Sequence, residues 1–403
     1  MGLLMSDLQR VLRWFDEGLI VRPRADQQPT IVDLITSIAC VCGVEGIDQS
    51  PQVQRLVEQI GMHDHVVFVV IDGLGLQLLQ DMDPAGTSFI REHEVRELQA
   101  VFPSTTAVAL TSLGTAAYPA RHGLSGWWMY LEELNITAEI LPFVERFSKK
   151  TLLDFGVRHD LLFTVPSILP RFKRQTQIVT RGYISNSHYS RYWSGGAPSM
   201  GYERIAEGTD LVIQHVRRMT SPSYTHLYLP QLDGACHQHG VDHPSIRELF
   251  VLLDNEMRRL FKGCEGRVRL IISADHGHVN PRTDRHIQHN DRLTEFLKCA
   301  PTGDQNVPLF HVKNGRHGAF REEFSARFGD LFALLSIDEV EHLELLGPGR
   351  LSAAARRHFG DYMGVASAPH TIHYMHPHLK THIHRGVHSG LTRGEMTVPL
   401  VLA

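Results

Sequence analysis

Three short segments of the chain are continuously apolar, and each ends close to an aspartate. They are HVVFVVIDG (65–73), THLYLPQLDG (225–234) and VRLIISADHG (268–277). Apolar runs of this length, without alternation of polar and apolar residues, are typical of strands that are buried on both faces of a parallel sheet. The pattern therefore predicts three central strands of an α/β fold with a mostly parallel sheet.

The segments around these runs predict the remaining organisation. SIRELFVLLDNEMRRLF (245–261) has the spacing of an amphipathic helix, and EMTVPLVLA (395–403) returns to strand character. A chain of 403 residues exceeds the size at which single cores usually stop growing. We expect a helical N-terminal extension at 1–60 and a main domain at 61–403, with an inserted lobe at 140–224 and a cap at 290–370.

The aspartates at the ends of the three apolar runs are the first candidates for chemistry. In open α/β sheets, ligands bind outside the carboxyl ends of the strands. Asp72, Asp233 and Asp275 are therefore expected to meet at one edge, although they are far apart in the chain. The alternative for each aspartate alone is a turn or helix-cap role, since Asp-Gly is a common turn pair.

Composition excludes several classes of partner. The 40 basic and 44 acidic residues give a net charge of −4, which provides no general attraction to a nucleic-acid polymer or a membrane surface. No apolar run is long enough for a transmembrane segment. The five cysteines show no zinc-ribbon spacing and are an odd number, which indicates a reduced compartment and predicts a cytoplasmic location.

Histidine is unusually frequent, with 26 copies. This raises the expectation of a metal site, because neutral imidazole is the commonest metal ligand. Asp233 and His237 are four residues apart, so a helix would place both on one face. Asp275 is followed directly by His276. His388, in the glycine-flanked segment GVHSG, is the best candidate among the histidines of 370–388, and the others are predicted to lie at the surface.

These six residues could hold two divalent ions. Aspartate and histidine without thiolate suit Zn²⁺, although Mn²⁺ and Fe accept the same ligands. Two ions would bring four positive charges against three carboxylates and leave a surplus near +1. Such a site favours an anionic, oxygen-rich substrate, and phosphoryl groups fit best.

The segment VFPSTTAVALTSLGT (101–115) offers hydroxyl groups at the predicted start of a helix. A hydroxyl there can act as a nucleophile if a metal lowers its pKa, while the free amides of the helix end bind phosphoryl oxygens. The residues alone leave Ser104, Thr105 and Thr106 as alternatives. Trp127 and Trp128 follow in the sequence, and they would either stack on the substrate or form a packing cluster.

The ordered motifs VVIDGLG, FPSTTAVALTSLGT…YPARHGLSG, LDGACHQHG, SADHGH and GVHSGLTRGEMTVPL resemble the alkaline phosphatase superfamily, in its type I phosphodiesterase/nucleotide pyrophosphatase branch. The resemblance covers roughly residues 65–130, 225–280 and 385–403. It implies an alkaline-phosphatase-like sheet sandwiched by helices and a catalytic domain at 61–403.

The resemblance also implies roles for the candidate residues. Asp233, His237 and His388 would hold one zinc ion. Asp72, Asp275, His276 and the nucleophile would hold the other, and the motif match selects Thr106 as that nucleophile, with Thr105 as the alternative.

The implied activity is hydrolysis of phosphodiester or pyrophosphate bonds in nucleotide-like substrates through a phospho-threonine intermediate. The family's phosphate-binding asparagine is missing, since HGLSGWW stands at its place. The alternatives are a phosphomonoesterase, a phosphonate hydrolase or a phosphotransferase on the same metal core, and a protein that binds phosphorylated ligands without catalysis.

Overall fold

The computed structural model describes residues 5–23, 27–47, 49–378 and 380–403. Its strands, in chain order, are β1 (His65–Ile71), β2 (Glu94–Gln99), β3 (Trp128–Leu131), β4 (Ile136–Glu139), β5 (Val144–Glu145), β6 (Gln175–Arg181), β7 (Ser199–Tyr202), β8 (Ser223–Leu229), β9 (Val268–Ser273), β10 (Thr283–Gln288), β11 (Thr302–Gly303), β12 (Pro308–Phe310), β13 (Phe332–Ser336), β14 (Tyr362–Ala366), β15 (His370–Met375) and β16 (Thr397–Leu402).

The α-helices of the same ranges are α1 (Asp7–Asp16), α2 (Ile31–Val41), α3 (Pro51–Ile60), α4 (Leu76–Met82), α5 (Phe89–Glu92), α6 (Thr106–Thr115), α7 (Pro119–His122), α8 (His159–Leu162), α9 (His188–Ser194), α10 (Ile205–Arg218), α11 (Gln231–His239), α12 (Pro244–Gly263), α13 (Arg292–Glu295), α14 (His317–Phe328), α15 (Ile337–His342), α16 (Ala353–His358) and α17 (Arg393–Met396).

The three apolar runs form neighbouring strands at the centre of the main sheet. The sheet has the order β2-β16-β9-β1-β8-β6-β7, and β1 pairs in parallel with both β8 and β9. All seven residues of β1 are buried. Since alternate side chains of a strand point to opposite faces, both faces of the sheet at β1 must be covered, which confirms the expected α/β class with a mostly parallel sheet.

Helices of the flanking layers pack on this sheet and on each other. Helix α10 contacts β6, β7 and β8, and it also packs against α12. From the N-terminal segment, α2 contacts α3 and also α6, the helix that begins at Thr106. Buried residues of α2, α3, the central strands and α12 belong to one apolar core.

A second sheet joins parts of the chain that are distant in sequence. Its order is β13-β14-β12-β11-β3-β4-β5, so strands of residues 128–145 pair with strands of residues 302–366. Strands β6 and β7, by contrast, lie within the lobe expected at 140–224 and yet are outer strands of the main sheet. The lobe therefore does not form a separate layer over its whole length, and the division into extension, lobe and cap stays a prediction.

Two further observations concern compartment. The five cysteines are free thiols, three of them buried. Within the described ranges, no helix combines the length and the apolar character that crossing a membrane requires. The cytoplasmic location stays a prediction.

The turn after β9 is packed so tightly that it requires glycine. A Cβ at Gly277 would lie 2.0 Å from the carbonyl oxygen of Gly394 and 2.9 Å from Cα of Gly75. We predict that Gly277→Ala lowers the free energy of unfolding by at least about 2 kcal/mol, because the backbone of three segments would have to move. Urea unfolding followed by circular dichroism measures the change.

Gly318→Ala in α14 is the matched control, because nothing lies within 4 Å of its added Cβ. Alanine in a helix is favoured over glycine by up to about 1 kcal/mol, so this variant should be as stable as the parent or more so. Equal destabilisation by the two substitutions would contradict the packing argument.

Candidate metal centre

The carboxyl ends of β1 and β9 place two aspartates side by side. Asp72 directly follows β1, and its backbone N–H donates to the carbonyl of Leu229 in the adjacent strand at 3.0 Å. Asp275 Oδ1 accepts from the backbone N–H groups of Gly73 at 3.2 Å and His276 at 3.0 Å. The pairing of the strands thus fixes both carboxylates at the sheet edge, as predicted from the ends of the apolar runs.

The third aspartate reaches the same edge from a helix. Asp233 and His237 lie in α11, which begins two residues after β8 ends. Asp233 Oδ1 and His237 Nε2 are 3.4 Å apart, as expected for residues one helical turn apart on the same face. The spacing in the sequence therefore predicted this pair correctly as neighbours.

His388 completes the group from a loop before the final strand. Its Nε2 lies 3.7 Å from Asp233 Oδ1 and 3.2 Å from His237 Nε2. The structure thus brings together the six residues expected as metal ligands.

The hydrogen bonds of three imidazoles decide which nitrogen faces the cluster. The Nδ1 atoms of His237, His276 and His388 lie 2.8, 3.1 and 3.0 Å from backbone carbonyl oxygens. A carbonyl only accepts, so each neutral ring carries its proton on Nδ1 and presents a lone pair at Nε2. Hydrogen bonds of this kind, from Nδ1–H to a carbonyl, orient histidine ligands toward metals.

A cation explains contacts that are otherwise unfavourable. The Nε2 atoms of His237 and His388 are 3.2 Å apart, and neither has a proton to share. Two imidazole nitrogens on one tetrahedral zinc, each at about 2.0–2.1 Å, stand roughly 3.3 Å apart. Asp72 Oδ1 and Asp275 Oδ2 are likewise buried without a hydrogen-bond partner. The residues therefore fit bound divalent ions.

His278 is a member of the site that the sequence reasoning missed. Its Nε2 lies 2.7 Å from Asp233 Oδ1, and its ring is almost fully buried. The possible ligand atoms form two groups. The histidine cluster comprises Asp233, His237, His278 and His388, and the aspartate cluster comprises Asp72, Asp275 and His276.

The electrostatics of the two clusters differ. Burial, followed by the charges of Asp275 and Asp233, raises the pKa of Asp72 well above its usual value. Burial opposes ionisation of Asp233 too, but the histidines around it outweigh burial and hold the pKa of that carboxyl well below its usual range. Burial also lowers the pKa of His388 well below that of free histidine, so its ring is neutral and ready to bind a cation.

Thr106 is the hydroxyl that faces the aspartate cluster. It is the first residue of α6, and its Oγ1 lies 3.1 Å from His276 Nε2. Ser104 instead donates its hydroxyl to the carbonyl of Gly390 at 2.8 Å. The N-terminus of α6 adds free amides and the positive end of the helix dipole beside Thr106.

Three residues of the histidine cluster and Thr106 line a cleft of about 400 Å³. Its walls include Thr105, Thr106, Trp127, Trp128, Arg146, Asp233, His237, Asp304, Tyr374 and His388. Trp127 and Trp128 therefore lie at the cleft, and their role in substrate stacking stays a prediction.

The expectation for the other histidines of 370–388 was partly wrong. His373 is only 1% exposed, because it lies on β15 with its ring against Asp284 and Thr371. His384 lines the cleft with its ring 4.3 Å from that of His237, measured between centroids. His378 and His382 are exposed, as expected.

Solved structures of low sequence identity share this fold. Murine ectonucleotide pyrophosphatase/phosphodiesterase 5 is 16% identical, with a TM-score of 0.61 over 83% of this chain and 87% of the other. An inactive form of it in complex with AMP is 15% identical, with a TM-score of 0.60 over the same shares. Phosphonoacetate hydrolase from Sinorhizobium meliloti, in complex with phosphonoformate, is 18% identical, with a TM-score of 0.57 over 84% of this chain and 89% of the other.

The comparison with curated proteins found no match. The family model described as type I phosphodiesterase/nucleotide pyrophosphatase matches residues 66–389, which is most of the chain and includes both clusters and Thr106. The chain therefore belongs to the type I phosphodiesterase/nucleotide pyrophosphatase family, whose enzymes are phosphoric ester hydrolases.

Proposed function

We propose that this protein hydrolyses phosphodiester or pyrophosphate bonds of nucleotide-like substrates, with Thr106 as nucleophile beside two divalent ions, most simply Zn²⁺. The observation that carries the proposal is the position of Thr106 Oγ1, 3.1 Å from His276 Nε2 at the start of α6. Family membership and the AMP complex of the structurally similar murine protein support it.

Each step of the proposed reaction can be assigned to particular residues of the site. The histidine cluster would hold one ion, and the aspartate cluster with Thr106 would hold the other. Bound divalent ions would lower the pKa of the hydroxyl and neutralise charge on the phosphoryl oxygens. Tyr228 donates its hydroxyl to Asp72 Oδ2, which leaves Oδ1 free to face the cluster.

The reaction then follows from the position of the hydroxyl. Thr106 loses its proton to solvent, and Oγ1 forms a bond to phosphorus as the bond to the leaving oxygen breaks. Water subsequently attacks the phospho-threonine and releases the phosphoryl product. This chain lacks the asparagine that binds a phosphoryl oxygen in the family. The backbone amides of residues 106 and 107, at the N-terminus of α6, would bind the phosphoryl oxygens in its place.

A phosphonate hydrolase is the second candidate, because phosphonoacetate hydrolase shares this fold. We predict that bis-p-nitrophenyl phosphate is hydrolysed at least about tenfold faster, in kcat/KM, than p-nitrophenyl phosphate. The reason is that no phosphomonoesterase-type arginine appears in the motifs beside Thr106. Initial rates on both esters and on phosphonoacetate decide between the candidates, and a faster rate on the monoester or the phosphonate would overturn the choice.

Thr106→Ala should abolish hydrolysis of the preferred ester, by at least about 10³-fold in kcat, because it removes the hydroxyl that lies 3.1 Å from His276 Nε2. Metal analysis should still find about two ions per chain, since the imidazole and carboxylate ligands remain. Thr105→Ala is the matched control, as the neighbouring threonine is the helix-cap residue, and it should retain most activity. Full activity of the Thr106 variant would refute the assignment.

Metal loading of the metal-free protein should release protons. The raised pKa of Asp72 means that this buried carboxyl keeps its proton to higher pH without a cation, and a metal ligand must be deprotonated. Calorimetric titration with Zn²⁺ in two buffers of different ionisation enthalpy measures the release.

The matched variants for this titration are Asp72→Asn and Asp338→Asn. Asp72→Asn removes the carboxyl group whose proton the metal displaces, so the number of protons released should fall. The second changes an exposed aspartate of α15 and should leave the release unchanged. If the binding enthalpy of the parent protein did not depend on the buffer, no proton would be released, and the idea that the ion displaces a proton from Asp72 would be wrong.

A further inference from the structure

The wall of the cleft contains a buried cation that the chemistry at Thr106 does not use. Arg146 is only 8% exposed and lines the same cleft as Thr106, Asp233 and His388. It follows β5 directly, in the turn before residue 151, and lies outside the five motifs that the sequence analysis singled out.

Aromatic rings hold the guanidinium in place. Its carbon lies 4.0 Å from the ring centroid of Trp128, 5.2 Å from that of Phe147 and 5.7 Å from that of Tyr374. One nitrogen, Nη1, donates to the carbonyl of Pro301 at 2.7 Å. Stacking on rings fixes the plane of the group but leaves the N–H donors at its edge available.

Arg146 forms no ion pair with a carboxylate of the described residues, and the two carboxylates that act on its charge, Glu139 and Glu145, have other partners. Glu139 Oε1 accepts from Lys149 Nζ at 2.6 Å and from Trp128 Nε1 at 3.2 Å. Glu145 accepts from the backbone N–H groups of Phe147 and Ser148 within its own turn. Burial lowers the pKa of Arg146 to about 10, so it stays cationic at neutral pH.

A buried cation without an anionic partner is costly unless a ligand provides the partner. Carboxylate and phosphate both match the fork of N–H donors on a guanidinium. We propose that Arg146 binds a second anionic group of the substrate, a phosphate or a carboxylate, while the first is held at Thr106. The protein would then prefer substrates with two anionic groups to simple diesters, and this preference rests on the proposed function.

Equilibrium binding tests this preference without requiring turnover. In the Thr106→Ala holoenzyme, calorimetry compares ADP-ribose, which has two phosphates, phosphonoacetate, which has a phosphonate and a carboxylate, and bis-p-nitrophenyl phosphate, which has one anionic group. Adding Arg146→Gln should raise Kd at least about 30-fold for a two-anion ligand and less than about threefold for the diester. Arg146→Lys should recover part of the loss, because it keeps the charge without the fork.

The comparison of ADP-ribose with phosphonoacetate shows whether Arg146 binds a phosphate or a carboxylate. A selective loss for ADP-ribose assigns a phosphate, and a selective loss for phosphonoacetate assigns a carboxylate. Lys380→Gln, an exposed lysine of the same cleft, is the matched control and should change all three Kd values by less than about threefold. Equal losses for all ligands, or no loss for any, would overturn the proposal.

Metal analysis and circular dichroism of Arg146→Gln, both of which should match the parent, show that the metal centre and the fold are intact. Hydrolysis of bis-p-nitrophenyl phosphate by the parent protein separates this proposal from the proposed function. If the parent does not hydrolyse the ester while the selective binding loss persists, the proposed reaction fails and the role of Arg146 stands. If the parent hydrolyses the ester and the binding loss is not selective, the role of Arg146 fails alone.

Discussion

The convergence of three carboxylates at one sheet edge, two of them fully buried, is the constraint on which the rest of the structure depends. Asp72, Asp233 and Asp275 come from the ends of adjacent strands and from the helix that follows one of them. Burial raises the pKa of Asp72 and of Asp275, and the charge of Asp233 raises both further. A cation bound among these residues would offset this cost, and the surrounding backbone fits such a cation. Carbonyl groups orient three imidazoles, and glycine contacts allow the turn after β9 to approach its neighbours.

Parts of this arrangement were predictable because they depend on local sequence. The apolar runs predicted β1, β8 and β9 correctly, and after β1 and β9 the aspartate that follows the run marks the position of the carboxylate at the sheet edge. The interval of four between Asp233 and His237 predicted their contact in the same way, since one helical turn separates them. Family membership, which the motif order had indicated, is confirmed over residues 66–389.

Other parts were not predictable, because they depend on contacts between distant segments. His278 was missed although it lies two residues after His276, the spacing that returns to the same side of an extended chain. Its proximity to Asp233 depends on how α11 packs on the segment after β9. His373 is buried because β15 pairs with β10 far along the chain, and no pattern around residue 373 indicates that pairing. The pairing of strands from 128–145 with strands from 302–366 is likewise visible only in the folded chain.

That second sheet explains how a general metal centre can acquire a particular substrate. It brings Trp128 and Arg146 to the cleft from one segment, and Pro301 and Asp304 from another. In the proposed site, two divalent ions and three aspartates would leave a surplus near +1, and Arg146 would raise it to about +2. Asp304, whose pKa burial raises to about 7, subtracts from that surplus only above neutral pH. A simple phosphodiester carries one negative charge and leaves the cleft positive, whereas a diester of pyrophosphate carries two and balances it. Among diesters, charge balance in the proposed two-ion site thus favours those of pyrophosphate over simple phosphodiesters.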